Sequence, residues 1–207
     1  MVTFFAAAKK VTPPAGKAAT AQTPQQTRKK HQPKTYCIIN APPPRKQESQ
    51  KMQNAELIEN FYTAFQSLDA EAMSACHAPD VRFEDPAFGP LHGREVSDMW
   101  RMLLARADDF TLAVSDIKSI GQSASAHATA RYTYSATGRF VVNEIQTRFA
   151  IRDGLIVEQT DSFDLWRWSR QALGIKGWLF GWSPKMREEI QTQARRALKR
   201  YQNKAPT

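Results

Sequence analysis

Apolar side chains recur every three to four positions in three stretches of the middle of the chain, which is the period of an amphipathic helix. The first stripe begins after Gln53, the second follows Asp69, a good N-cap residue, and the third follows Gly93. The third stripe is the most regular one, and its members are Val96, Met99, Trp100, Leu103 and Leu104. These patterns predict three helices, the second of which ends near His77.

Beyond these helices the period falls to two, which is typical of strands that bury one face. A short alternating segment at 81–83 precedes four long alternating runs, and Asp153-Gly154 separates the last two runs as a hairpin turn. Helices come before strands rather than alternating with them. We therefore predict an α+β fold, in which three N-terminal helices pack in a curved, mainly antiparallel sheet. Such a cone leaves a mouth that can hold a ligand.

The C-terminal part combines aromatic, glycine and basic residues. Its aromatic cluster consists of Trp166, Trp168, Trp178, Phe180 and Trp182. A helix is predicted after it, because Ser183 suits an N-cap and Pro184 suits the first helical position. We interpret residues 175–207 as an aromatic linker followed by a basic amphipathic helix. We expect the aromatic side chains to pack over the sheet or into a dimer contact, with a membrane surface as the alternative partner.

Charge divides the chain at about Met52. Residues 1–51 carry ten Lys and Arg against one Glu, which accounts for the whole net charge of +9. Residues 52–182 hold 12 basic and 17 acidic residues, a net charge of −5. The tail is rich in proline and has few apolar residues to bury, so we predict a disordered basic tail at 1–51 and a folded domain at 52–174. Because the folded part is acidic, no specific nucleic-acid partner is expected.

Two alternatives for the tail stay open: Met52 is the natural start of the protein, or residues 1–51 are a targeting segment. The two cysteines, Cys37 and Cys76, match no metal-ligand spacing and are not expected to form a disulfide. This pattern is typical of a reducing compartment, so we expect a cytoplasmic protein. No histidine has a partner at metal-ligand spacing either, and no metal site is expected.

Four motifs occur in one order along the chain. They are Phe61-Tyr62-Thr63-Ala64-Phe65 before Asp69, then Val81-Arg82-Phe83-Glu84-Asp85-Pro86, then Gly93 ahead of the Trp100 helix, then Asp153-Gly154-Leu155-Ile156-Val157 running into Asp161 and Phe163-Asp164. Over about residues 53–173 this arrangement resembles the SnoaL-like branch of the nuclear transport factor 2 superfamily, which includes ketosteroid isomerase. The resemblance implies a pocket for a small apolar organic molecule, and we expect a homodimer.

The resemblance also implies two candidate catalytic residues. Asp85, in its Glu-Asp-Pro context, matches the aspartate that moves a proton in the isomerase, and Asp161 matches the base of the polyketide cyclases in the SnoaL group. Either one would act as general base in an isomerisation, cyclisation or hydration that needs no cofactor. From the residues alone, Asp85 is equally interpretable as a turn former before Pro86, and Asp161 as an ion-pair partner of Arg148.

One departure separates the chain from ketosteroid isomerase. Where the isomerase has two acidic hydrogen-bond donors, this chain has Phe61 and Thr147, so that activity is not expected. Tyr62, one residue on, is a further candidate donor. We place Phe61, Trp100, Thr147 and Phe163 on the predicted substrate-binding wall. The alternative to an enzyme is a non-catalytic ligand carrier or dimeric scaffold of the same fold.

Overall fold

A computed structural model describes residues 46–105, 107 and 109–204 of the chain. The helices of this part are α1 (Lys46–Gln66), α2 (Ala70–Ala75), α3 (Arg94–Leu104), α4 (Leu165–Leu173), α5 (Ile175–Phe180) and α6 (Pro184–Gln202). The strands are β1 (His77–Glu84), β2 (Leu91–His92), β3 (Thr111–Ile120), β4 (Ser123–Tyr134), β5 (Arg139–Arg152) and β6 (Leu155–Ser162). The four long strands β3 to β6 follow one another without an intervening helix, so the fold is α+β as predicted.

All six strands form one open sheet in the order β2-β1-β6-β5-β4-β3. The four predicted long strands are β3 to β6, and consecutive ones pair antiparallel. The predicted hairpin turn is present, with positive φ at Asp153 (54°) and Gly154 (76°), as a type I′ turn requires. β1 joins this sheet by running parallel to β6, with Glu84 beside Thr160. This parallel pairing decides where the functional residues meet.

The helical predictions hold for the two features on which they depended most. Asp69 caps α2, since its Oδ1 accepts the backbone N–H groups of Glu71 (3.1 Å) and Ala72 (2.9 Å). The apolar stripe of α3 faces the interior, where Val96, Met99, Trp100 and Leu104 are buried. α1 contributes Ile58, Phe61 and Tyr62 to the same core.

Three boundaries differ from the sequence prediction. α1 begins at Lys46, six residues ahead of the predicted domain start at Met52. α2 ends at Ala75, because His77 already pairs with Ile156 of β6. Residues 175–180 form a helix instead of a linker. The remainder of the predicted tail, residues 1–45, and with it Cys37, lies outside the described residues.

The C-terminal helix α6 is packed on the domain. Its apolar stripe is buried as predicted, through Ile190, Ala194 and Leu198, and these residues belong to the same core cluster as the helices inside the sheet. Of the aromatic cluster, Trp168 is buried, whereas the other four members, Trp166, Trp178, Phe180 and Trp182, are exposed. Packing over the sheet therefore does not hold for these four, and their place in a dimer contact stays a prediction. No helix of the described segments is long and apolar enough to cross a bilayer.

Candidate functional site

Asp85 and Asp161 lie side by side at the same end of two adjacent strands. β1 and β6 run parallel and pair Glu84 with Thr160, so the next residue of each strand is one of the two aspartates. Both carboxyl groups line one cavity of about 100 Å³. Both also keep part of their surface accessible, as expected for groups on a cavity wall rather than in the core.

The cavity wall is mostly hydrocarbon. Besides the two aspartates it consists of Phe65, Phe83, Ala87, Phe88, Met99, Trp100, Leu103, Leu104, Phe110, Ala130, Tyr132, Ile145, Phe163 and Trp168. A carboxylate in such surroundings loses contacts with water and gains few contacts with polar protein groups in return. Its charged form is therefore disfavoured. The two aspartates are the only ionisable carboxyl groups among these lining residues.

The Asp85 carboxyl is held by its own turn. Its Oδ1 accepts the backbone N–H of Ala87 at 3.0 Å and that of Phe88. The turn role and the place on the cavity wall, considered as alternatives from the sequence, thus occur together in one side chain.

The pKa of Asp85 is raised to about 7. Burial is the largest cause; the backbone N–H of Phe88 works in the opposite direction, and the negative charge of Asp161 adds to the rise. A carboxyl with such a pKa exchanges a proton near neutral pH, which an ordinary aspartate does not.

Helix α6 ties down the loop that carries Asp85. Arg195 donates from Nε to the carbonyl of Phe88 and from Nη2 to that of Pro90, both at 2.7 Å. Gln191 donates to the carbonyl of Pro86 at 3.3 Å. The close approach explains a glycine in this loop: Gly89 has φ +67°, and a Cβ there would lie 3.2 Å from the Arg195 guanidinium. Residues far from Asp85 in sequence therefore set its position.

The Asp161 carboxyl is held by a side-chain network. Gln159 donates from Nε2 to Asp161 Oδ1 at 3.1 Å, and its Oε1 pairs with Nε2 of His77 at 3.0 Å. The Gln159 amide therefore connects the His77 ring on β1 with the Asp161 carboxyl on β6. Burial lowers the pKa of His77, so the imidazole is neutral at neutral pH.

The pKa of Asp161 is raised to about 6, again because of burial, while hydrogen bonds from Gln159 and Thr147 act to lower it. The ion pair with Arg148 does not form: Arg148 pairs with Thr160 on the sheet and is exposed. The carboxyl therefore faces the cavity without a cationic partner among the described side chains.

The four residues predicted for the substrate wall divide into two groups. Trp100 and Phe163 line the cavity. Phe61 does not; it packs behind the wall, edge-on to Trp100 with ring centroids 6.1 Å apart. Thr147 is also buried behind the wall, directly opposite Asp161 in the strand register. Both contribute to the site through neighbours rather than through the cavity surface.

Tyr62 adds a buried hydroxyl behind Asp161. Burial, and after it the charge of Asp161, raise the pKa of this phenol, and Thr147 lies close enough to lower it slightly. No hydrogen bond of standard geometry satisfies the Tyr62 hydroxyl. The indole Nε1 of Trp100 is likewise buried without a partner. Two donors near the cavity are thus not used by the protein itself.

Sequence reasoning missed the pair formed by Tyr132 and Trp168. The Trp168 indole donates to the Tyr132 hydroxyl at 2.8 Å, and both side chains line the cavity. Tyr132 was recognisable as one of the last members of an alternating run on β4, facing the same side as Ala130. Trp168 was predicted to pack over the sheet, but its contact with Tyr132 was not predictable, because it depends on how α4 folds back over the sheet. No cluster of three potential metal ligands occurs in the described residues.

Comparison with known proteins gives a family match over part of the chain and supports the fold. Residues 58–159 match the family model of the SnoaL-like domain. No curated protein matches the chain. Among solved structures, a protein with a ketosteroid isomerase-like fold from Catenulispora acidiphila, in complex with trimethylamine, superposes with a TM-score of 0.53 at 18% identity, covering 62% of this chain and 98% of its own.

A candidate SnoaL-like polyketide cyclase from Jannaschia sp. CCS1 superposes with a TM-score of 0.52 at 15% identity, covering 59% of this chain and 92% of its own. A LEH-like epoxide hydrolase from M. tuberculosis gives a TM-score of 0.49 at 19% identity, covering 63% and 95%. At these identities the first two neighbours establish the fold alone.

Proposed function

Residues 58–159 match the SnoaL-like domain family, and on that premise we propose that the protein binds a small, largely apolar organic molecule and transforms it by general acid–base catalysis with Asp85 and Asp161. The observation that supports this is the pairing of two adjacent carboxyl groups in one apolar cavity, with pKa values raised to about 7 and about 6. No cofactor enters the proposed reaction.

The two raised pKa values suggest a division of roles. At neutral pH Asp161 is mostly ionised and Asp85 still holds a proton in a large fraction of molecules, so one accepts and the other donates. In an isomerisation, Asp161 removes a proton from carbon while Asp85 donates one to the substrate. In a hydration, Asp161 removes a proton from water while the water oxygen bonds to one atom of the substrate's polarised double bond, and Asp85 donates its proton to the other atom. In either case a proton passes back from Asp161 to Asp85, directly or through solvent, and restores the starting state.

Ketosteroid isomerisation itself is not part of the proposal. The positions that would supply acidic donors hold Phe61 and Thr147, and both lie behind the wall. The cavity of about 100 Å³ is also smaller than one of about 150 Å³ that holds benzene. A steroid would require extensive rearrangement, whereas a compact molecule would not.

The experiment that tests the proposal measures proton exchange at carbon. The full chain is incubated in D₂O with a panel of small cyclic ketones, and deuterium uptake is followed by mass spectrometry. We expect uptake by the wild type and a loss of about 100-fold or more in Asp161→Asn. Asp153→Asn is the matched control, since it removes an exposed carboxyl from a turn in which asparagine is equally well accommodated.

The competing function is a carrier that binds without chemistry. It is favoured by the turn contacts of Asp85, which give this carboxyl a structural use. A carrier would bind the same ketones, detected through quenching of Trp100 and Trp168, with no deuterium uptake in any variant. That result, or equal uptake by the wild type and Asp161→Asn, would contradict the catalytic proposal. The homodimer and the cytoplasmic location stay predictions, the first testable by sedimentation.

A further inference from the structure

The most exposed apolar surface of the described residues lies on α4, α5 and the turn after them. We call it the C-terminal aromatic patch, and its members are Trp166, Ile175, Trp178, Leu179, Phe180 and Trp182. Between 40% and 79% of each of these side chains is exposed. Other exposed large apolar residues, such as Ile120 and Phe140, stand singly on the surface. A contiguous patch of this kind marks an interaction site more often than chance exposure does.

Two glycines fix the orientation of the patch. A Cβ on Gly177 would collide with the carbonyl oxygen of Ser169 in α4, and one on Gly181 would lie 2.8 Å from the Cβ of Ser169. α5 is therefore pressed against α4 by a face without side chains, and its opposite face, which carries Trp178 and Leu179, must point outwards. The side chains of the patch are therefore exposed because α5 packs closely on α4 through its glycine face.

The segment that carries the patch is basic. Residues 165–187 contain five basic residues, all exposed, and no acidic residue, whereas Asp164 and Glu188 lie at its two borders. They are Arg167, Arg170, Lys176, Lys185 and Arg187. The guanidinium of Arg170 lies 4.5 Å from the centre of the Trp166 ring, so cation and aromatic ring form one surface.

This charge distribution selects the occupant. In a symmetric dimer that placed the patch on its own copy, five positive charges would face five others, and such contacts are disfavoured. A partner with an apolar interior and a negatively charged surface complements both the aromatic side chains of the patch and its basic residues. The interface of an anionic bilayer has these properties, and tryptophan is enriched there.

The patch also adjoins the candidate site. Phe163 lines the cavity of Asp85 and Asp161, and it equally lines a second cavity of about 680 Å³ that includes Trp166, Trp182 and Arg187. A molecule dissolved in lipid would meet this second cavity first. The inference stands on the patch alone, however, and does not require the proposed reaction.

We propose that the protein docks peripherally on anionic lipid surfaces through the C-terminal aromatic patch. α5 lies in the plane of the headgroups, the side chains of Trp178 and Phe180 enter the acyl boundary, and the surrounding Lys and Arg contact lipid phosphates.

Vesicle flotation tests this with the full chain, using phosphatidylcholine vesicles with and without about one third phosphatidylglycerol. We expect binding to the mixed vesicles, and a loss of about tenfold or more in partitioning for Trp178→Ser/Phe180→Ser, since two large apolar side chains no longer enter the bilayer. Phe140→Ser is the matched control, because it removes an exposed aromatic residue outside the patch. Melting temperatures of both variants check that the fold is unchanged.

Residues 1–51, with a net charge of +9, also attract anionic lipid, so salt dependence alone does not identify the surface that binds. The variant Trp178→Ser/Phe180→Ser identifies it, because it removes apolar side chains and leaves the charge unchanged. Wild-type binding that Trp178→Ser/Phe180→Ser leaves unchanged would overturn the proposal, as would absence of binding by the wild type. A dimer in sedimentation that the same variant converts to monomer, without any lipid binding, would overturn it in favour of a second copy as the occupant.

Discussion

Asp85 and Asp161 are the same residue type at the ends of neighbouring strands, yet the fold holds them in different ways. Asp85 is fixed by backbone N–H groups of its own turn, and Arg195 of α6 holds that turn in place. Asp161 is fixed by the side chain of Gln159 on its own strand. One carboxyl is therefore a structural part of a loop, and the other is a side chain that the sheet supports. From this difference we expect substitutions at the two positions to have different effects on the free energy of unfolding and on the pKa values of the two carboxyl groups.

The largest difference is expected for removal of each carboxyl. Asp85→Ala leaves two backbone N–H groups of the turn without an acceptor. We expect a loss of about 3 kcal/mol in the free energy of unfolding, measured in urea at pH 4, where the raised pKa values of the two carboxyl groups do not contribute. Asp85→Asn keeps an oxygen acceptor and should lose much less. Asp161→Ala deprives only the Gln159 amide and should lie well below Asp85→Ala. Equal losses for the two alanine variants would contradict the comparison.

A second effect concerns the pH dependence of stability at Asp161. Its pKa rises from 3.8 to about 6 on folding, so between these pH values the folded state binds more protons than the unfolded state, and stability falls as pH increases. Asp161→Asn removes this dependence. We expect the variant to gain about 2 kcal/mol over the wild type at pH 8, roughly 4 to 8 °C in Tm, and nothing at pH 4.

Calorimetry of both proteins across this pH range provides the measurement, with Asp153→Asn as the control for loss of one exposed carboxylate. A constant difference between wild type and Asp161→Asn from pH 4 to pH 8 would show that the carboxyl is not desolvated in the folded protein.

A smaller effect is expected from the loop support. Arg195→Ala frees the carbonyl groups of Phe88 and Pro90, so water gains access to Asp85 and its pKa should fall towards the ordinary value, because burial is the main cause of the rise. We expect about 1 kcal/mol of lost stability as well. Arg196→Ala, on the exposed neighbour, is the matched control. An unchanged Asp85 pKa in Arg195→Ala would show that α6 does not control the burial of this carboxyl.

The smallest effect is expected at Asp161 when the supporting Gln159 amide is removed. Gln159→Leu removes a donor that stabilises the ionised carboxyl, so the pKa of Asp161 should rise further while that of Asp85 changes less. Carboxyl NMR titration of the variant measures both. A fall in the Asp161 pKa would mean that the Gln159 amide is turned the other way.

Much of this architecture was predictable from the sequence, because it depends on the local periodicity of apolar residues and on capping residues. The stripe of α3, the Asp69 cap and the four long strands each depend on neighbours within a few positions. The approach of Asp85 to Asp161 was not predictable in that way. It arises from the parallel pairing of β1 with β6, two strands separated by most of the domain.

Other features escaped prediction because they depend on tertiary packing. Gly177 and Gly181 suggested a linker, whereas here glycine permits close contact between α4 and α5. Phe61 was placed on the cavity wall by resemblance, yet α1 turns this ring into the aromatic core. The support of the Asp85 loop by α6 joins residues more than 100 positions apart and leaves no local pattern.

The central claim is that two coupled carboxyl groups share one apolar cavity, and their pKa values test it most directly. Carboxyl ¹³C resonances of the full chain are followed against pH and assigned with Asp85→Asn and Asp161→Asn. The account predicts that Asp85 titrates near pH 7 and Asp161 near pH 6, and that Asp161→Asn lowers the Asp85 pKa because a negative neighbour is lost. Ordinary values near 4 for both groups would contradict it.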